Sequence, residues 1–126
     1  MEKKIIATDL APKAIGPYSQ AIVVGNMVYT SGQIPINPAS GNIEGATIVE
    51  QAEQVMKNLG EVLKASGASF DTAVKTTCFL ADMADFAQFN GVYAKYFTSN
   101  PARSCVAVKD LPKGALVEVE VIAITK

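Results

Sequence analysis

The sequence predicts an α+β fold in which two helices pack on one face of a mixed β-sheet. Three observations carry this. Two segments, starting at Thr47 and at Asp85, repeat apolar residues at the helical period. The runs around them are β-branched and strand-sized. Their order along the chain is strand, strand, helix, strand, helix, strand, strand. No repeat, low-complexity run or linker interrupts the 126 residues, so one domain over residues 1–126 is expected.

Ile22-Val-Val and Met27-Val-Tyr-Thr-Ser flank Gly25-Asn26, a turn-forming pair between two β-prone runs, which reads as a hairpin. A loop dense in turn residues follows, Pro35-Ile-Asn-Pro-Ala-Ser-Gly-Asn. Ile48, Ala52, Val55, Met56, Leu59, Val62 and Leu63 then recur at helical spacing. Thr47 and Glu50 can form a capping box, and Gly67 suits the C-terminal stop. Ala73-Val-Lys-Thr-Thr-Cys-Phe-Leu reads as a third long strand. Asp85 offers an N-cap for a second helix, in which Phe86, Phe89, Tyr93 and Phe97 keep the period up to the Asn100-Pro101 break. Two strands complete the chain, around Ala102 to Val108 and Leu116 to Ile124, joined by a turn through Leu111-Pro-Lys-Gly.

The last strand carries a second message. Val117, Val119, Val121 and Ala123 project to one face, which the helices can cover. Leu116, Glu118, Glu120, Ile122 and Ile124 project to the other, and three of these are large aliphatics. Apolar residues on both faces of a strand imply burial on both. With no third helix available, another copy of the chain is the simplest cover, so a homo-oligomer meeting through its sheets is expected.

Composition excludes several chemistries. There is no histidine, so Ser-His and Cys-His nucleophile pairs, imidazole metal ligands and imidazole proton shuttles are absent. Acid–base work falls to Asp, Glu, Lys, Tyr, Cys or a bound water. A net charge of −1 with scattered lysines gives no basic stripe for nucleic acid. The apolar runs are strand-sized and no signal peptide is recognisable, so no membrane association is expected. Cys78 and Cys105 lack C-x-x-C spacing, which argues against a metal site and for a reduced, cytoplasmic setting. No phosphate-cradling glycine loop occurs.

Ten of the eleven cations are lysines, and the exception is Arg103 in Pro101-Ala-Arg-Ser-Cys-Val-Ala-Val, sharing a strand face with Cys105 and Ala107. A guanidinium grips a carboxylate through two parallel bonds, which ammonium cannot reproduce. Arg103 is therefore either one half of a structural salt bridge or an anchor for an anionic ligand. Glu118 and Glu120 are either solvated at a rim or, if partly desolvated in a cleft, candidates for a general base. Cys105 is by default a small packed hydrophobe. Asn90 interrupts the apolar stripe of the second helix, and either bonds a neighbouring loop or contacts a ligand. Ile15-Gly-Pro-Tyr-Ser is a rigid turn presenting Tyr18. Thr30-Ser-Gly-Gln-Ile-Pro places Ser31 and Gly32 at a strand end, where glycine permits close approach.

Together, Ala14-Ile-Gly-Pro-Tyr-Ser-Gln, Thr30-Ser-Gly-Gln-Ile-Pro, Val74-Lys-Thr-Thr, Phe89-Asn, Pro101-Ala-Arg-Ser-Cys-Val and Val117-Glu-Val-Glu resemble the RidA/YjgF family of enamine/imine deaminases, in the family's order along nearly the whole chain. The resemblance implies a chorismate-mutase-like α+β fold, assembled as a homotrimer with a ligand cleft at each subunit interface. It implies 2-iminobutanoate/2-iminopropanoate deaminase activity, in which reactive 2-imino acids derived from enamines such as 2-aminoacrylate are hydrolysed to 2-keto acids and ammonia. No metal or organic cofactor is expected. Arg103 would bind the substrate carboxylate and Glu118 would position the attacking water, with Tyr18, Ser31, Gly32, Asn90 and Cys105 lining the cleft. The alternative reading of the same cleft is a non-catalytic trimeric sensor of small keto acids or amino-acid-derived carboxylates. A chorismate-mutase-type isomerase is disfavoured, because a dianionic substrate calls for more than one arginine.

Overall fold

A computed structural model describes residues 2–126. Its strands and helices in chain order are β1 (Lys3–Ile6), β2 (Ala21–Val24), β3 (Met27–Thr30), β4 (Ile36–Asn37), β5 (Asn42–Ile43), α1 (Ile48–Ala65), β6 (Ala73–Leu80), α2 (Phe86–Tyr96), β7 (Ala102–Ala107) and β8 (Val117–Ile124). Six strands form one sheet in the order β1-β2-β3-β8-β6-β7, and β4 and β5 form a separate two-stranded hairpin. All neighbours in the large sheet are antiparallel except β6 and β7, which run parallel. A parallel pair needs a crossover, and α2 supplies it. No helix is long and apolar enough to cross a membrane among the described residues.

Local chemistry explains the best-defined elements. Gly25 takes φ +59° in the tight turn between β2 and β3. At the start of α1 the Thr47 hydroxyl accepts from the Glu50 N–H, and the Glu50 carboxylate accepts from the Thr47 N–H, so the expected capping box is complete. These bonds hold the Glu50 carboxyl below its ordinary pKa. Beyond the helix, Gly67 adopts φ +80°, a conformation that favours glycine. The apolar face of α1 lies on β8 and β3. Val55, Met56, Leu59 and Leu63 form one core with Val117, Val119 and Val121, all at most 1% exposed. Alongside, α2 is joined to α1 by an ion pair between Lys95 and Glu53 and by a bond from the Tyr96 hydroxyl to Glu53 at 2.6 Å.

Three details differ from the sequence reading. The chain opens with a strand, β1, and part of the loop after Pro35 folds into the β4–β5 hairpin. Asp85 occupies the N-cap position of α2, but its side chain makes no capping bond. Asp82 does that work one turn earlier, accepting from the Ala84 N–H at 2.9 Å at the start of a short 3₁₀ turn that leads into the helix.

The alternation along β8 is clean. Val117, Val119, Val121 and Ala123 are buried beneath the helices, while Glu118, Glu120 and Ile122 are half-buried on the opposite face. That second face carries Ile5, Ile22, Tyr29 and Ile122 in one cross-strand row, and Glu118, Phe79 and Val106 in another. Ile5, Tyr29 and Val106 are between 45% and 63% exposed. A contiguous apolar face of this kind is unusual for a surface that meets only water.

Candidate active site

The predicted site residues fall into two groups, and sheet register separates them. Arg103 pairs with Thr76 on β6, and Thr76 pairs with Val121 on β8. Cys105 pairs with Cys78, and Cys78 with Val119. Register partners share a face, so Arg103 and Cys105 lie on the helix side of the sheet. Glu118 pairs with Phe79, which pairs with Val106, and these lie on the open side. One chain therefore does not bring Arg103 and Glu118 together.

The first group gathers at the outer edge of β7. Arg103 donates from Nη1 to Oδ1 of Asn90 at 2.7 Å. Its guanidinium carbon lies 4.7 Å from the centroid of the Tyr93 ring and 5.4 Å from that of Phe86. Phe86, Asn90 and Tyr93 are spaced i, i+4, i+7 on α2, so one helix face builds the whole cradle. No carboxylate pairs with Arg103 among the described residues, whose ion pair is Lys95 with Glu53. The structural salt bridge is thus not what Arg103 makes. Asn90 serves this arginine rather than bonding a loop.

Backbone direction adds donors at the same edge. The Val108 N–H donates to the Leu80 carbonyl at 2.9 Å, pointing toward β6. Main-chain groups alternate along a strand, which turns those of Arg103 and Cys105 away from β6 and out of the sheet edge. The thiols themselves are poor nucleophiles. Burial pushes Cys78 up to about 12. Cys105 is also raised by burial, against a smaller opposing pull from Arg103.

The second group lines a cleft of about 670 Å3 that contains Tyr18, Ser31, Gly32 and Glu118. Tyr18 is held in a tight turn by its own N–H, which donates to the Gly16 carbonyl at 2.8 Å. The Ser31 hydroxyl donates to the Ser19 carbonyl at 2.5 Å, leaving its lone pairs as acceptors. Gly32 lies against the Glu118 carboxylate so closely that a Cβ would sit 2.1 Å from Oε2. Glu118 itself is half-buried, and its side chain has no hydrogen-bond partner among the described residues. Loss of water contact, with a smaller contribution from the nearby Glu120 charge, raises its pKa above the ordinary carboxylate value. Ile15, Ile34 and Pro112 give the cleft apolar walls, and Lys113, at φ 57° in the turn before β8, reaches its rim.

In the sequence, Tyr93 and Phe86 read only as part of the apolar stripe of α2. The signal that marks them is Asn90, a polar residue flanked by aromatics four before and three after. Such a residue on an apolar stripe needs a partner, and the partner here is Arg103.

Known proteins place the chain. The family described as Endoribonuclease L-PSP matches residues 8–125. AldR of Lactococcus lactis, named as a candidate regulator, is 53% identical over 124 residues, covering 98% of each chain. The 2-iminobutanoate/2-iminopropanoate deaminase of Mus musculus is 50% identical over 123 residues, covering 97% of this chain and 91% of its own. Among solved structures, E. coli TdcF with bound serine superposes with a TM-score of 0.92 at 43% identity, covering 98% of this chain and 99% of its own. The chain belongs to the Endoribonuclease L-PSP family, the RidA/YjgF family that its motifs resemble.

Proposed function

We propose that the protein hydrolyses reactive 2-imino acids to 2-keto acids and ammonia, at sites formed where two copies of the chain meet. Arg103 of one copy binds the substrate carboxylate, and Glu118 of the next positions the water. The observation that carries this reading is the state of Arg103: a guanidinium held by a neutral amide and aromatic faces, with no carboxylate among the described residues taking up its fork. An arginine kept free in this way suits a bidentate carboxylate. The backbone N–H of Cys105, at the same strand edge, adds a second donor to that carboxylate.

The separation of the two groups across the sheet supports an interface site. Two different surfaces meeting head to tail form a heterologous contact, which closes into a ring when the rotation permits. The apolar open face, with Ile5, Tyr29 and Val106 exposed, supplies area to bury. Resemblance to the family supports a homotrimer as that ring.

The reaction asks little of the protein beyond placement. The C2 carbon of a 2-imino acid is already electrophilic, so no covalent nucleophile is needed. Water held by the Glu118 carboxylate adds to C2, and the carboxylate takes the departing water proton. That proton then passes to nitrogen to give a carbinolamine. Glu118 next takes the hydroxyl proton and delivers it to the same nitrogen, so the C–N bond breaks, ammonia leaves with the bonding pair and the C=O bond forms. The Ser31 oxygen is free to accept from the imine N–H, and Tyr18 closes the cleft beside it. A raised pKa brings Glu118 nearer the range where a positioned base contributes roughly 10²- to 10⁴-fold in rate. The deaminase names of relatives about 50% identical support this chemistry, and E. coli TdcF, solved with bound serine, supports a site for a small amino-acid-like molecule.

The test is to generate 2-aminoacrylate from serine with a dehydratase and follow pyruvate with and without this protein. Faster release is expected for the wild type, with the effect lost in Arg103→Ala. The regulator's name of the Lactococcus lactis relative favours a second reading, a sensor of small carboxylates. Saturable pyruvate binding with no acceleration would establish the sensor and overturn the enzyme.

A further inference from the structure

Three contacts around Arg103 close on one another. Thr76 and Arg103 are register partners on adjacent strands. The Thr76 hydroxyl and the Tyr93 hydroxyl lie 2.8 Å apart, in a position where Thr76 is fully buried. The Tyr93 ring in turn lies under the guanidinium, its centroid 4.7 Å from Cζ. The ring also stacks on Phe97, with centroids 4.6 Å apart and planes 25° from parallel.

The ring is therefore fixed at both ends, to the strand next to Arg103 and to the end of its own helix. A phenylalanine would fill the same space, so the hydroxyl calls for a separate explanation. It is bonded to the residue that faces Arg103 across the strand pair, which ties the height and tilt of the ring to the backbone carrying the arginine. A carboxylate in this position would also orient the guanidinium, but would occupy its donors and cancel its charge. An aromatic face attracts a cation while leaving its in-plane donors free.

We propose that Tyr93, tethered by Thr76, is a positioning residue for Arg103, setting the plane in which the arginine fork meets a carboxylate. This rests on the reading of Arg103 as the carboxylate anchor. The role is confined to ligand binding: Tyr93 does not touch the reacting atoms, and the water-activating step at Glu118 does not depend on it.

The experiment measures pyruvate binding by calorimetry, together with kcat and KM, for Tyr93→Leu, Tyr93→Phe, Thr76→Val and Arg103→Ala. Loss of the ring face in Tyr93→Leu should weaken pyruvate binding by about tenfold and raise KM similarly, with kcat within about twofold. Tyr93→Phe and Thr76→Val keep the ring and lose the tether, and each should weaken binding by about threefold, with no further loss when the two are combined. The acid limb of the pH profile should not move. Because Tyr93 is buried, Tyr93→Leu can fail to fold; the two tether variants then decide the matter. Unchanged pyruvate affinity in the folded tether variants, with Arg103→Ala binding weakly, overturns the positioning role and leaves the anchor standing. Unchanged affinity in Arg103→Ala overturns both.

Discussion

Replacing Gly32 by alanine should separate the two halves of the proposed mechanism. The added Cβ would lie 2.1 Å from Oε2 of Glu118, 2.7 Å from Cδ and 2.9 Å from Cγ. The carboxylate oxygen must retreat by about 1.3 Å to reach the 3.4 Å of ordinary contact. The clash reaches back to Cγ, so turning the terminal carboxyl alone does not relieve it. A displacement of about 1 Å at a group that places a reactant is enough to lower turnover by about 10²-fold. In the proposed site Arg103 comes from the neighbouring copy and is held by Asn90 and Tyr93 of that copy, and the clash falls on Glu118, so carboxylate binding should be retained. In the coupled 2-aminoacrylate assay, Gly32→Ala should lose roughly 10²-fold in kcat with pyruvate affinity unchanged. If it acts through Glu118, the same substitution in a Glu118→Gln background should add almost nothing. Wild-type kcat in Gly32→Ala would refute the reasoning, because it would mean that the position of Glu118 does not matter to the reaction.

Other consequences follow from the same geometry. Arg103→Lys keeps the charge but loses the planar fork, and should bind pyruvate about tenfold more weakly than wild type; near-normal binding by calorimetry removes the clamp. The water-orienting form of Glu118 is the carboxylate, so kcat/KM should fall on acidification through a pKa lying above 4.5, and Glu120→Gln should move that limb to lower pH. The folded chain holds the Glu118 proton to higher pH than the unfolded chain, so this residue weakens the fold once pH rises above the ordinary carboxylate range. Glu118→Gln should accordingly raise the denaturation midpoint at pH 7 and leave it unchanged well below pH 4.5. In the core, Leu59 is 0% exposed between α1 and the sheet. Leu59→Ala should cost about 2–5 kcal/mol in denaturant titration, and a loss under 1 kcal/mol would contradict the packing described.

Elements governed by short-range chemistry were readable in the sequence. The capping box at Thr47 and Glu50, the Gly25-Asn26 turn and the bounds of β6 each depend on residues within a few positions of one another. Elements whose stability comes from distant partners were not. Lys3-Lys-Ile-Ile becomes a strand only because β2 offers it an edge, and β4 and β5 are two residues each. Asp85 holds the N-cap position of α2 as expected, but the side-chain capping bond falls to Asp82, at the start of the 3₁₀ segment that precedes the helix.

The site shows the same division. Arg103, Asn90, Ser31, Gly32 and Glu118 could be singled out as residue types in unusual settings. That they split across a sheet could not, because the split depends on β6 inserting between β7 and β8, which are neighbours in sequence but not in space. Tyr93 was legible as a core aromatic, while its place beneath Arg103 required the parallel register of β6 and β7.

A site built from Arg103 of one copy and Glu118 of the next can be tested by mixing inactive subunits. Arg103→Ala and Glu118→Gln, each inactive alone, are unfolded together in equal amounts and refolded. In random rings about a quarter of the interfaces then join an intact Arg103 to an intact Glu118, so about a quarter of wild-type turnover should return. Recovery to that level is the predicted result. A mixture as inactive as its parents, with mixed assemblies present by native mass spectrometry, would contradict an active site shared between copies.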